Sequence, residues 1–157
     1  MAYRFCVALL LVMVANVAPW ASGRLLGSRW NGPLDCRITL PDGKRLLGDH
    51  KTWRGLVAGE LACALTVWLC GYPLLLGLKF ATLALAADAA SSCVKRRLNL
   101  PPGAEVPALD QIPEALVPLG LLAAPLGISL YSAIAIALIF LCTDMAARPL
   151  RHPTAQR

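Results

Sequence analysis

The chain reads as an all-α integral membrane protein with about five transmembrane helices. Its N-terminus is expected outside, its C-terminus in the cytoplasm, and two functional loops on the cytoplasmic side. Three observations predict this. Hydrophobic residues make up 57% of the 157, and the mean hydropathy is +0.61, whereas a typical soluble domain is roughly 45–50% apolar. The apolar residues gather in stretches close to the length of a spanning helix. The net charge of +6 sits in the breaks between those stretches. That placement fits membrane orientation and anionic ligands. It argues against nucleic acid, since no basic helix or interleaved aromatic platform is present.

A straight spanning helix needs about 20 apolar residues, with a range of roughly 17–25. The first stretch covers residues 5–21 and the second 55–71. The third covers 72–92 and contains Pro73, the fourth covers 112–125, and the fifth covers 127–147. The fourth is the shortest. Gly71-Tyr72-Pro73 and Pro125-Leu126-Gly127 are turn signals that split longer runs into hairpins. The whole forms one membrane domain, residues 1–157, without internal repeats. The first stretch has a second reading. Arg4, the apolar run and the small residues Ala21-Ser22 resemble a secretory signal peptide. Cleavage there would export residues 23–54 with seven bases.

Counting bases sets the orientation. With the N-terminus outside, residues 23–54, 93–111 and 148–157 face the cytoplasm. Only Arg4 and Lys79 of the 15 Lys and Arg then fall elsewhere. The opposite arrangement would export nearly all of them, so the positive-inside bias favours N-out, C-in. In that arrangement Glu60 and Asp88 lie within roughly 8 Å of the cytoplasmic edge, at 1.5 Å per helical residue. Asp144 lies near the same edge and Lys79 in the opposite half. Intramembrane acids are functional candidates by default, although snorkelling accounts equally well for Glu60 and better for Asp144.

The six cysteines have no C-x-x-C spacing and no neighbouring His, which argues against a zinc site. His50 and His152 are the only histidines, too few for a His-based triad. Gly48-x-x-Lys51-Thr52 superficially matches a phosphate-binding loop. It lacks the full G-x-x-x-x-G-K-[ST] pattern and no strand precedes it.

The remaining charged residues form one constellation in the two cytoplasmic loops, 23–54 and 93–111. The first loop is punctuated by Gly32, Gly43 and Gly48 and carries Lys44, Arg45, Lys51 and Arg54 up to Gly55. The second carries Lys95-Arg96-Arg97, stiffened by Pro101, Pro102 and Pro107. Asp88 and Asp110 flank that basic triplet. Carboxylates offer Mg²⁺ hard oxygen ligands, and the cations offer sites for phosphate. The plainer readings make Lys44, Arg45, Lys51 and Arg54 a solvated, lipid-facing basic rim with Trp53 as an interface anchor, and Lys95-Arg96-Arg97 a topology signal beside a spanning helix.

At these residues the chain resembles the CDP-archaeol synthases. Leu47-Gly48-Asp49-His50-Lys51-Thr52-Trp53-Arg54-Gly55 is similar to their L-G-D-G-K-T-W-R-G signature. Asp88-x-x-x-Ser92-x-x-Lys95-Arg96-Arg97-Leu98 is similar to their G-D-x-x-G-S-F-x-K-R-R-L segment. Pro33-Leu34-Asp35, Asp42-Gly43-Lys44-Arg45, Pro102-Gly103 and Leu109-Asp110-Gln111 match in the same order. The S-x-x-K-R element also resembles the wider phosphatidate cytidylyltransferase superfamily. The resemblance implies a five-helix membrane enzyme that joins CTP to a lipid phosphate with Mg²⁺, giving a CDP-lipid and pyrophosphate. It implies Asp88 and Asp110 as metal ligands, and Asp88, Asp110, Lys95 and Arg96 as the catalytic set. It further implies that Asp49, Lys51, Thr52, Arg54, Ser92 and Arg97 bind nucleotide or lipid phosphate. In-line attack by an already anionic phosphate oxygen needs positioning and charge neutralisation more than a protein base.

The chain departs from the pattern at three places. His50 replaces a Gly, Ala87 stands before Asp88, and Pro113 stands where the family has a second acid, with Glu114 beside it. These mark a divergent branch, expected to be bacterial, and leave the lipid acceptor open. A non-catalytic membrane protein of the same fold, binding anionic lipid or a partner protein, is the alternative. A transporter has only Lys79 and Glu60 as deep charges to rest on. Base selectivity and a homo-oligomeric state are left open.

Overall fold

The computed structural model describes residues 1–101, 104 and 106–151, with side chains to residue 147. The Pro102-Gly103 match and residues 152–157 of the expected cytoplasmic tail lie outside the described residues. Among the described residues the chain is all-α, with two isolated bridges in place of strands. The helices are α1 (Ala2–Leu26), α2 (Trp53–Leu69), α3 (Leu74–Arg97), α4 (Gln111–Leu121), α5 (Ala123–Leu126) and α6 (Leu130–Arg151). Among the described residues three segments are long and apolar enough to cross a membrane: α1, α3 and Leu130–Ala147 of α6.

The helices form a closed ring. α1 packs on α2, α2 on α3, α3 on α4, and α4 on α6, which returns to α1. The core between them holds Leu11, Val12, Phe80, Leu119, Ile136 and Phe140. Leu61, Leu65, Trp68, Leu69 and Leu138 face outward. Outward apolar side chains suit a lipid surround, where burial gives no advantage over lipid contact. Close approach therefore depends on small residues. A Cβ on Gly77 of α3 would lie 2.5 Å from the Cys63 carbonyl oxygen of α2. Gly59 of α2 similarly lets Leu85 and Pro19 in, its virtual Cβ being 3.1 Å from Leu85 Cδ1.

Local chemistry sets the helix ends. The Thr52 hydroxyl accepts from Gly55 N at 3.2 Å and caps α2. Gly71 (φ +73) and Pro73 turn the chain into α3. The fourth apolar stretch folds as two helices, α4 and α5, which meet at Leu122 and end at the left-handed Gly127. α3 continues past residue 92, the end of the expected span, so that Lys95-Arg96-Arg97 form its last turn. α1 is a full partner in the ring, with Val7, Ala8, Leu11, Val12 and Ala15 buried.

The first loop is organised around Asp35. Its carboxylate accepts from Arg45 Nη2 at 2.8 Å, Arg45 Nε at 3.2 Å, Leu47 N and Gly48 N at 3.1 Å, and Arg37 N at 3.0 Å. The loop is fastened to the end of α3 by an Asp42–Arg97 ion pair at 3.0 Å and by Lys44 Nζ donating to the Arg97 carbonyl at 3.1 Å.

Candidate active site

A cavity of about 360 Å³ lies where α1, α2, α3, α4, α6 and the two loops meet. This is within the usual range for small-molecule sites, roughly 300–1,000 Å³. α3 supplies Leu85, Asp88, Ser92, Lys95 and Arg96, whose three- and four-residue spacing puts them on one helical face. The first loop supplies His50, Lys51 and Thr52, α1 supplies Asn16 and Trp20, and α6 supplies Asp144. Asp110 and the α4 residues Gln111 and Glu114 complete the polar wall.

The charged groups are paired across elements. Lys51 of the first loop pairs with Asp88 of α3. Lys95 Nζ lies 2.7 Å from Asp110 and donates to the Ala104 carbonyl at 3.0 Å. Asp110 also accepts from Val106 N at 3.0 Å and Ser91 Oγ at 3.4 Å. Arg96 Nη2 donates to the Pro101 carbonyl at 2.9 Å, while its buried Nε and Nη1 have no hydrogen-bond partner among the described residues. Gln111 Nε2 donates to Asp144 at 2.6 Å, and Asn16 Nδ2 donates to the Glu114 carboxylate at 3.2 Å. Lys95 and Arg96 are only 8% and 7% exposed. Burying cations is costly unless partners compensate.

Outside the cavity, burial pushes the Asp35 carboxyl up, but the Arg45 guanidinium and the N–H groups of Leu47, Gly48 and Arg37 outweigh it. They hold Asp35 well below the usual carboxylate range. The same contact raises Arg45.

Asp88, Lys95, Arg96, Asp110, Lys51, Thr52 and Ser92 therefore share one cavity. The other three residues singled out in the sequence are engaged elsewhere. Asp49 is 72% exposed at its side chain and pairs with Arg45 at 3.2 Å. Arg97 pairs with Asp42. Arg54 clasps the end of α1, donating to the carbonyls of Gly27 and Arg29 at 2.7 and 2.8 Å and to Asn31 Oδ1 at 3.0 Å. Of the three acids expected at the cytoplasmic edge, Asp88 and Asp144 line the cavity, whereas Glu60 accepts from Thr82 Oγ1 at 3.1 Å on an outer face. Asn16 was not visible as a site residue in the sequence. Nothing distinguishes a lone amide in an apolar helix until Glu114 is seen opposite it. Glu114 had only its neighbourhood to Pro113 as a signal.

The family model of the CarS-like CDP-archaeol synthases matches residues 2–73 and 71–148. The chain belongs to the CDP-archaeol synthase family. It is 39% identical over 104 residues to the CDP-archaeol synthase of Thermofilum pendens, covering 63% of this chain and 51% of that protein. It is 40% identical over 112 residues to that of Aeropyrum pernix, covering 68% and 61%. The chain thus spans about half to three-fifths of these curated relatives. It also resembles a solved intramembrane enzyme for archaeal membrane lipids biosynthesis, with 35% identity, a TM-score of 0.70 and 90% of each chain covered. With its three membrane-length helices, this family member is a multi-pass membrane protein.

Proposed function

We propose that this protein transfers a cytidylyl group from CTP to a lipid phosphate, giving a CDP-lipid and pyrophosphate for membrane lipid biosynthesis. One observation carries the reading. Three cations from two separate segments, Lys51, Lys95 and Arg96, converge with Asp88 and Asp110 in a single cavity. Family membership supports it, and so do the names of the relatives.

In the reaction an oxygen of the lipid phosphate attacks the α-phosphorus of CTP. The bond to the bridging oxygen breaks, and pyrophosphate leaves with the electron pair. The nucleophile is already anionic, so no side chain has to remove a proton. Lys95 and Arg96 bind the nucleotide phosphates. Arg96 brings Nε and Nη1, two buried donors without a hydrogen-bond partner among the described residues, and charge-assisted bonds to phosphate oxygens would satisfy them. Lys51 moves from Asp88 to a phosphate as the ligand enters. Thr52 and Ser92 line the same wall and are within the region the phosphates would occupy.

The residues fit a divalent cation of the Mg²⁺ type. The donors are hard carboxylate oxygens. Among the described residues no group of three His, Cys, Asp or Glu side chains is placed to hold a metal ion. Mg²⁺ is commonly held by one or two carboxylates together with substrate phosphates. Asp88 and Asp110 would hold it. When bound, Mg²⁺ neutralises phosphate charge and orients the reacting groups.

The same proposal covers placement. Five spanning segments, N-out and C-in, put the cavity at the inner leaflet of the cytoplasmic membrane, within reach of a lipid headgroup. The test is pyrophosphate release by purified protein in detergent, with CTP, Mg²⁺ and either phosphatidate or an ether-lipid phosphate. Release that requires both CTP and one of the lipids is expected, and the lipid that works names the acceptor class. Folded protein that does not bind CTP would instead favour a non-catalytic lipid-binding or partner-binding role.

A further inference from the structure

The Asp35 side chain is fully buried and lies outside the cavity lining, yet five hydrogen bonds converge on it. Cys36 and Arg37 follow at φ +46 and +63, left-handed values that wrap the chain back over the carboxylate. Two of the five donors are the backbone N–H groups of Leu47 and Gly48, just before the segment that enters the cavity. Gly48 is itself at φ +113, and its carbonyl accepts from Lys51 N at 3.3 Å. From the other side, Leu34 N donates to the Lys51 carbonyl at 2.6 Å, and Trp53 N donates to the Gly32 carbonyl at 3.1 Å. Lys51 is thus held between two backbone ties, and its ammonium reaches Asp88.

We propose that Asp35 is a positioning residue: its carboxylate fixes residues 45–48 so that the Lys51 ammonium is delivered to Asp88 in the cavity. The inference rests on the cytidylyl transfer proposed above for its catalytic consequence. The links run from Asp35 Oδ2 to Gly48 N, from the Gly48 carbonyl to Lys51 N, and from Lys51 Nζ to Asp88. The anchor works because it is ionised. Hydrogen bonds to a charged acceptor are roughly twice as strong as neutral ones, and a neutral amide could not hold the Arg45 guanidinium in the same two-point grip.

Asp35→Asn tests this in the full chain in detergent, since it keeps the size and removes the charge. Lys51 acylation by an N-hydroxysuccinimide ester, mapped by peptide mass spectrometry, is the main readout. Amide exchange over residues 44–52 is the second, and neither needs substrate. Both rates are expected to rise for Lys51 and its loop while Lys95 acylation and helical circular dichroism stay at wild-type values. Catalysis is expected to fall about 100-fold in kcat/KM for CTP, the scale of a misplacement of about 1 Å. Unchanged Lys51 labelling would overturn the proposal. So would an equal rise at Lys51 and Lys95, which would make Asp35 merely structural. If Asp35→Asn does not fold, Arg45→Lys decides, because Arg45 is partly exposed and Lys keeps the charge but loses the fork. The same selective rise at Lys51 is expected, and its absence refutes the positioning role. A wild type inactive on every lipid phosphate sinks the proposed reaction while the labelling still judges Asp35. An active wild type with unaltered labelling in both variants sinks the positioning alone.

Discussion

Asp88 carries the sharpest test of the site, because it pairs with Lys51 and faces the cavity from the middle of the α3 polar face. Asp88→Asn keeps the shape and removes the charge. Turnover is expected to fall by roughly 10²–10³, the scale seen when one electrostatic stabiliser is lost from an active site, with helical content unchanged. Pyrophosphate release and circular dichroism on the same preparation check this. Near-wild-type release would remove Asp88 from the reaction. The identity of such residues was legible in the sequence because charge is conspicuous beside apolar spans. Their partners were less so. Arg54 follows Lys51 by three residues, but it is turned onto the carbonyls of Gly27 and Arg29, in the turn that follows α1. Only three-dimensional geometry separates these two cations.

Among the elements, α3 does most to assemble the site, and its pairing with α2 depends on Gly77. A Cβ there would stand 2.5 Å from a backbone oxygen and 2.7 Å from Ala64 Cα, neither of which can move alone. Gly77→Leu is therefore expected to push α2 and α3 apart and cost about 1–3 kcal/mol or more, as overpacking does. Thermal unfolding in detergent measures this, and an unchanged midpoint would mean that the helices separate freely. The boundaries of α2 and α3 were readable from Gly71-Tyr72-Pro73, a turn that no helix continues through. The division of the fourth stretch into α4 and α5 was not, since both pieces are equally apolar and the sequence pattern follows hydropathy rather than helix direction. The extension of α3 to Arg97 was likewise hidden, because charged residues end a span without ending a helix.

For the whole molecule, the bias of Lys and Arg toward one side predicts N-out, C-in insertion. Cys36 reports it directly, being exposed in the first loop. A membrane-impermeant maleimide is expected to label Cys36 in inside-out vesicles and not in intact cells, with peptide mapping to set the other thiols aside. Labelling from the outer face would invert the arrangement and detach the cavity from the cytoplasmic nucleotide pool. The all-α membrane class was legible from hydropathy alone. The closing of the ring was not, since it depends on contacts between the two ends of the chain, and no local pattern records those.

That closure has a consequence for biosynthesis. α1 contributes Asn16 to the cavity and α6 contributes Asp144, and the two helices touch along the ring, with Thr143 Oγ1 3.8 Å from Met13 Sδ. Translation delivers α1 to the bilayer before α6. Until α6 has entered, the wall around Lys51, Lys95 and Arg96 is unfinished. A chain arrested before α6 therefore holds these cations in the membrane without the completed cavity.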